Sequence, residues 1–241
     1  MTVSICVEKG LPKNAIIVEA FPSRGYVSTL AANHMIRRMG MEQVGWIECD
    51  KLDAVAVVHD GRPMHPIRVY HKDNLIVVFS ELIIPFNLVH EFTTALGDWF
   101  KALSPKTVIL LASLPGIETH QEHEIQSVST DREMAKKLEK LGIKEMKEGV
   151  LTGMSSSLMI KCCGIDLPAT SLMIETNYIP DVLASAALLK ILAELLSLDL
   201  DVDELIKTGN DIEAKFKVNL EQMKKGQENY KEMHAQLPMY R

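Results

Sequence analysis

A chain of 241 residues with 47% hydrophobic content is long enough for one large domain plus an appendage, and apolar enough to bury a core. Its net charge of -6 argues against a polyanionic partner, because nucleic-acid-binding proteins concentrate Lys and Arg on one face. The four cysteines, Cys6, Cys49, Cys162 and Cys163, have no C-x-x-C or paired spacing and read as reduced thiols of a cytoplasmic protein, and no basic-then-apolar N-terminal run marks a secretory signal.

Along the chain, short runs rich in Val and Ile alternate with amphipathic segments, the pattern of a sheet covered by helices on both faces. The first strand is expected at 16 to 21 (IIVEAF), followed by a helix over 26 to 39 that runs up to Gly40. Strands follow at 44 to 50 and 54 to 58, then at 66 to 71 and 75 to 82. The turn residues His71-Lys72-Asp73-Asn74 make the last two an antiparallel hairpin,.

From Pro85 to Leu103, the residues Leu88, Val89, Phe92, Leu96, Trp99, Phe100 and Leu103 form one buried helical stripe, which Ser104-Pro105 ends,. A strand is expected at 107 to 113. Thr130-Asp131-Arg132-Glu133 has the spacing of a capping box, and Gly142 stands where a left-handed terminator is needed,. After a strand at 169 to 175, the apolar run from Val182 to Leu198 is broken on a helical period by Ser185, Lys190 and Glu194. That makes it a core helix rather than a membrane span.

The C-terminal part, 201–241, reads as an arm distinct from the domain at 1–200. Asp201-Val202-Asp203-Glu204 offers a cap for a helix that runs without Pro to about His234, on the order of 50 Å,. Asp203/Lys207, Asp211/Lys215, Glu213/Lys217 and Glu221/Lys225 place each acid four residues before its lysine, which supports an exposed helix,. A seven-residue frame holds Leu205, Ile212 and Met233 at one position and Phe216, Met223, Tyr230 and Leu237 at the other, with Asn219 and Gly226 interrupting it,. The stripe either packs back on its own domain or self-associates; its length favours self-association through Leu205, Ile212, Phe216, Met223 and Tyr230.

The sequence closes on Leu237-Pro238-Met239-Tyr240-Arg241. A free carboxylate on Arg241 would pair with a lysine, Tyr240 has a ring to bury and a hydroxyl to satisfy, and Met239 supplies an adaptable apolar contact. Pro238 stops the helix and stiffens the exit. A hydrophobic residue, a tyrosine and any last residue make up the HbYX tail of proteasome activators, which this terminus resembles.

A wider resemblance covers residues 15 to about 213. The segments Phe21 to Ile36 (FPSRGYVSTLAANHMI), Met41 to Gly45 (MEQVG), Gly149 to Leu158 (GVLTGMSSSL), Gly164 to Ala169 (GIDLPA) and Glu175 to Asp181 (ETNYIPD), with the turn from Asp199 to Glu204, occur in the order and spacing of the archaeal relatives of proteasome assembly chaperone 2. The first loop, Ser23-Arg24-Gly25, has less glycine than is common there. The resemblance implies a three-layer α/β/α domain with a mixed, mostly parallel sheet of phosphorylase-like topology, without implying phosphorylase chemistry. It also implies a homo-oligomer, tetramer or pentamer, that binds proteasome α-subunits; no cofactor is expected.

Enzymatic readings compete with that one. His120, Glu122, His123 and Glu124 follow the loop Ser113 to Gly116, but their spacing is neither H-E-x-x-H nor H-x-x-E-H, so a solvated loop is expected rather than a metal centre,. Gly153-Met154-Ser155-Ser156-Ser157 lacks the second glycine of a nucleophile elbow,. Arg24, Ser155 and Tyr178 lie on loops that could meet in one ligand crevice,. A phosphorylase-like or hydrolytic enzyme using the loops at 22–26, 113–123 and 151–157 is therefore one alternative, and a structural oligomer with sequestered tails is another. No G-x-x-x-x-G-K-[ST] loop is present, which excludes a P-loop motor,.

Overall fold

The computed structural model describes residues 3–116 and 123–209, together with 211, 214, 217, 218, 221, 222 and 225. In chain order the elements are β1 (Val3–Val7), β2 (Ile16–Ala20), α1 (Val27–Met39), β3 (Glu42–Cys49), β4 (Val57–His59), β5 (Arg62–Met64), β6 (Ile67–Lys72), β7 (Leu75–Ser80), α2 (Val89–Leu103), β8 (Thr107–Pro115) and β9 (Ile125–Ser129). They continue with α3 (Arg132–Lys140), β10 (Lys144–Glu145), α4 (Met154–Gly164), β11 (Ala169–Thr176), α5 (Val182–Leu196) and α6 (Asp203–Lys207).

Strands of continuous apolar sequence must be covered on both faces, and they form the centre of a nine-stranded sheet of order β1-β3-β6-β7-β2-β8-β11-β9-β10. β7, β2, β8 and β11 run parallel to one another. The flanks are antiparallel: β7, β6, β3 and β1 on one side, β11 and β9 on the other, with β10 parallel to β9. Alternation along β2 divides the core. Val18 and Ala20 join residues of α1, α3 and α5 in one layer, while Ile17 and Phe21 join residues of α2 and α4 in the other. The result is the three-layer α/β/α arrangement with a mixed sheet.

The helix boundaries follow their punctuation. Gly40 closes α1 with φ 60°, Ser104 closes α2 with φ 49° and Ser197 closes α5 with φ 55°, all left-handed,. The start of α3 differs from the capping-box expectation by one residue. Asp131, not Thr130, is its N-cap, accepting from the N–H groups of Glu133 and Met134. Thr130 instead uses its hydroxyl to accept from Ala169 N–H at the foot of β11.

The strand expected at 54 to 58 is another correction. Only Val57 and Val58 of that run are extended, in a separate two-stranded ribbon with β5. Asp60-Gly61, with φ 50° and 75°, supplies the tight turn,. Strands β1, β9 and β10 had no clear signal, because β9 (IQSVS) is half polar and β10 is two residues long.

α6 begins on its own domain. Val202 rather than Asp201 is the N-cap of α6; the Asp201 carboxylate accepts from Asp203 N–H, the His34 ring N–H donates to the Asp201 carbonyl at 2.8 Å, and Arg38 pairs with Glu204 at 2.5 Å. Leu205 is 1% exposed in the layer formed by α1 and α5. Among the described residues, no helix is long and apolar enough to cross a membrane.

Candidate functional site

Parallel strands bring their C-terminal ends to one edge of a sheet, and the helices that follow them begin there. Here that edge carries the segments after β2, β7, β8 and β11, and the first turns of α1, α2 and α5.

Its most tightly connected part joins the ends of β2 and β11. Gly25 has φ 69°, and a Cβ at that position would lie 2.8 Å from the Tyr178 carbonyl and 3.1 Å from the Thr176 side chain. Only glycine allows both the turn and the close approach. Arg24 donates from Nε to the Thr176 carbonyl at 3.1 Å, and the Ser113 hydroxyl donates to the Arg24 carbonyl at 2.7 Å, so β8 is tied in as well.

Asp181 organises the same corner from a position 3% exposed. Its carboxylate accepts from the Thr176 hydroxyl at 2.5 Å and from Ala184 N–H at 2.9 Å, which caps α5,. Its own N–H donates to the Gly25 carbonyl at 3.0 Å. His123 donates from Nδ1 to the Glu175 carbonyl at 3.0 Å, and its Nε2 lies 3.7 Å from Asp181. These hydrogen bonds join the ends of β2, β8 and β11 to the start of α5 in one connected corner. Tyr178, Ile179 and Leu183 stand exposed around it.

A second feature lies under the edge. Glu19, in the middle strand β2, is fully buried between its register neighbours Val78 and Leu110. Oε1 accepts from Phe21 N–H at 3.1 Å and from the Ser155 hydroxyl at 3.3 Å; Oε2 has no hydrogen-bond partner. Burial pushes its pKa up to about 8, against the opposing pull of the two donors,. Cys162, one face along α4, is buried as well, and its thiol is pushed up to about 11 mainly by burial and then by Glu19.

Of the three residues expected to share a crevice, Arg24 and Tyr178 do meet at the Gly25–Thr176 corner. Ser155 does not join them: it is buried in the first turn of α4, bonded to Glu19 and the Leu111 carbonyl, in the layer opposite α5. Leu205 packs into its own domain. Ile212, Phe216, Met223 and Tyr230 lie outside the described residues, as do Met239, Tyr240, Arg241 and His120. Thr176 and Asp181 are marked in the sequence only within the ETNYIPD resemblance, with no role given, and Glu19 only as part of the strand IIVEAF. A lone carboxylate inside the apolar run IIVEAF was the available signal for the last of these.

At the opposite end of the sheet, Thr130, Asp131, Glu133, Cys163, Asp166 and Pro168 help line an open hollow of about 510 Å³. No group of three or more His, Cys, Asp or Glu able to hold a metal ion occurs among the described residues.

The model of the PAC2 family matches residues 17–218. An uncharacterized protein of Methanocaldococcus jannaschii, MJ0106, is 30% identical over 235 residues, 95% of this chain and 93% of that protein. The crystal structure of Pyrococcus furiosus PbaA, an archaeal homolog of proteasome-assembly chaperone, has a TM-score of 0.85 and 29% identity, covering 93% of this chain and 99% of PbaA. Pyrococcus furiosus PbaB, an archaeal proteasome activator, shares the fold with a TM-score of 0.72 at 20% identity, over 90% of this chain and 98% of PbaB.

Proposed function

We propose, from the premise that this chain belongs to the PAC2 family, that it is a non-enzymatic proteasome assembly chaperone or ATP-independent activator. In this reading a homo-oligomer docks on the proteasome α-ring through the C-terminal residues Met239, Tyr240 and Arg241. Its likeness to PbaA, a homolog of proteasome-assembly chaperone, supports the assembly role. The engagement of Asp181, Thr176 and His123 with one another and with backbone supports a scaffold rather than a catalyst at the strand ends.

The observation that carries the docking step is where the chain leaves the domain. Gly209 lies against Val182, 3.2 Å from its Cγ1 to the position of a Cβ on the glycine, at the start of α5 and so at the functional edge. Beyond it, residues 211, 214, 217, 218, 221, 222 and 225 are helical and exposed. An arm starting there would present the tail away from the sheet, and several identical tails on one oligomer would multiply a weak contact through effective concentration.

The test removes Met239 to Arg241. The truncated protein should keep its thermal stability and its oligomeric mass while losing core-particle capture by on the order of 100-fold, as expected when a multivalent contact is abolished. The reading also requires Arg241 to carry the free carboxylate, so adding one residue after it should have the same effect. Undiminished capture by the truncated protein would overturn it.

A further inference from the structure

Glu19 has no part in the docking reading, yet a carboxyl in the middle strand of a nine-stranded sheet is an expensive residue to keep. We infer that Glu19 is a proton-linked latch on the first turn of α4: the neutral carboxyl holds that turn against β2 and β8, and ionisation releases it.

The geometry identifies both the moving part and the fixed one. β2 is locked between β7 and β8 by parallel ladders on both sides, and the register neighbours Val78 and Leu110 are apolar. Facing the carboxyl from α4 are Ser155 and, further along, Cys162; α2 brings Phe92 and Leu96 to the same layer. No charged side chain of the described residues pairs with Glu19, and one of its oxygens is orphaned.

The two donors on Oε1 are outweighed by burial, and an ionised carboxylate there would also require donors to Oε2 that the strands cannot turn to provide,. The first turn of α4 can yield. Its N-cap, Gly153, has φ 95° and gives no side-chain cap; among the described residues the turn's side-chain hydrogen bonds to the sheet come from the Ser155 hydroxyl, beside the apolar packing of Met154 and Leu158, and Ser157 accepts from Thr93 on α2 at 2.9 Å. Preceding it are Gly149 and the 89% exposed Val150, so the segment before the turn is held by little.

The direction of the linkage follows from proton counts. Closed, the carboxyl keeps its proton up to about pH 8; released into water, it ionises at the ordinary value of 4.5. Between those two values the open form binds one proton fewer, so opening becomes easier by up to roughly tenfold per pH unit, and the dependence levels off above the higher value.

Hydrogen exchange by mass spectrometry on the full chain tests this. After division by the intrinsic exchange rate, amides of residues 157–159, the first in α4 with hydrogen-bond acceptors, should lose protection by about 10- to 100-fold between about pH 5.5 and pH 7.5, while β8 and β11 amides stay level,. Glu19→Gln should abolish the slope. A flat wild-type profile, or an equal slope in the glutamine variant, would overturn the latch. Should Glu19→Gln fail to fold, infrared spectroscopy of the wild type decides: a protonated-carboxyl band must persist at neutral pH and vanish through about pH 8, and its absence at neutral pH refutes the proposal.

Discussion

Replacing Asp181 by alanine tests whether the corner at the ends of β2 and β11 is one unit. The carboxylate caps α5 through Ala184 N–H and takes the Thr176 hydroxyl at 2.5 Å, all at a position 3% exposed. Losing an aspartate cap costs about 0.5–2 kcal/mol, and leaving the buried Thr176 hydroxyl only the longer 3.4 Å contact to the Tyr178 carbonyl in place of its 2.5 Å bond costs about 1–2 kcal/mol more,. Asp181→Ala should therefore destabilise by roughly 2–4 kcal/mol, whereas Asp181→Asn keeps an acceptor for Ala184 and should cost about 1 kcal/mol.

The measurement is urea unfolding at fixed protein concentration for the wild type, Asp181→Ala, Thr176→Val and the double variant. Because Thr176→Val removes the donor itself, the second substitution should cost less in the presence of the first, with a coupling of about 1–2 kcal/mol. Costs that add to within about 0.5 kcal/mol would refute the corner as a cooperative unit, and so would an Asp181→Ala variant as stable as the parent.

Two further expectations follow from burial. Leu205→Ala removes a side chain that is 1% exposed between α1, α5 and α6, and should lower stability by about 2–3 kcal/mol in the same unfolding assay,. An unchanged midpoint would mean that α6 does not rest on the domain. Cys162, with its thiol pushed up to about 11, holds almost no thiolate at neutral pH, whereas its neighbour Cys163 is exposed,. Brief alkylation of the native protein, mapped by peptide mass, should mark Cys163 and spare Cys162; equal labelling would contradict the buried placement.

Residue patterns made the layers of this fold legible because the parallel centre needs covering on both faces. IIVEAF, LIVVFS and TVILLAS are nearly unbroken apolar runs, and each became a central strand. The flanks carry weaker signals: β9 is stabilised by its place beside β11, not by its own composition. The corner at the ends of β2 and β11 was harder to see for a different reason. Asp181 and Thr176 are close in sequence, but the Gly25 and Ser113 that complete their network come from strands far away along the chain. The ETNYIPD segment marked the place through family resemblance, without the physics of a capped helix start.

The C-terminal arm was expected either to fold back or to stand clear, and its described portion divides between the two. Leu205 is the first apolar residue of the seven-residue stripe, and it is used inside the domain, with Arg38–Glu204 and His34–Asp201 securing the chain on α1. Four residues later Gly209 touches Val182 at the end of α5 nearest the Gly25–Thr176 corner, where a Cβ would have only 3.2 Å. A side chain there would force Val182 or the arm to shift. The first turn therefore works as an anchor, and a glycine fixes how closely the arm passes the strand-end edge. The edge beside this anchor carries the exposed Tyr178, Ile179 and Leu183. Such an anchor fixes the direction in which the chain leaves Gly209, which a flexible linker at 201–209 would not do,.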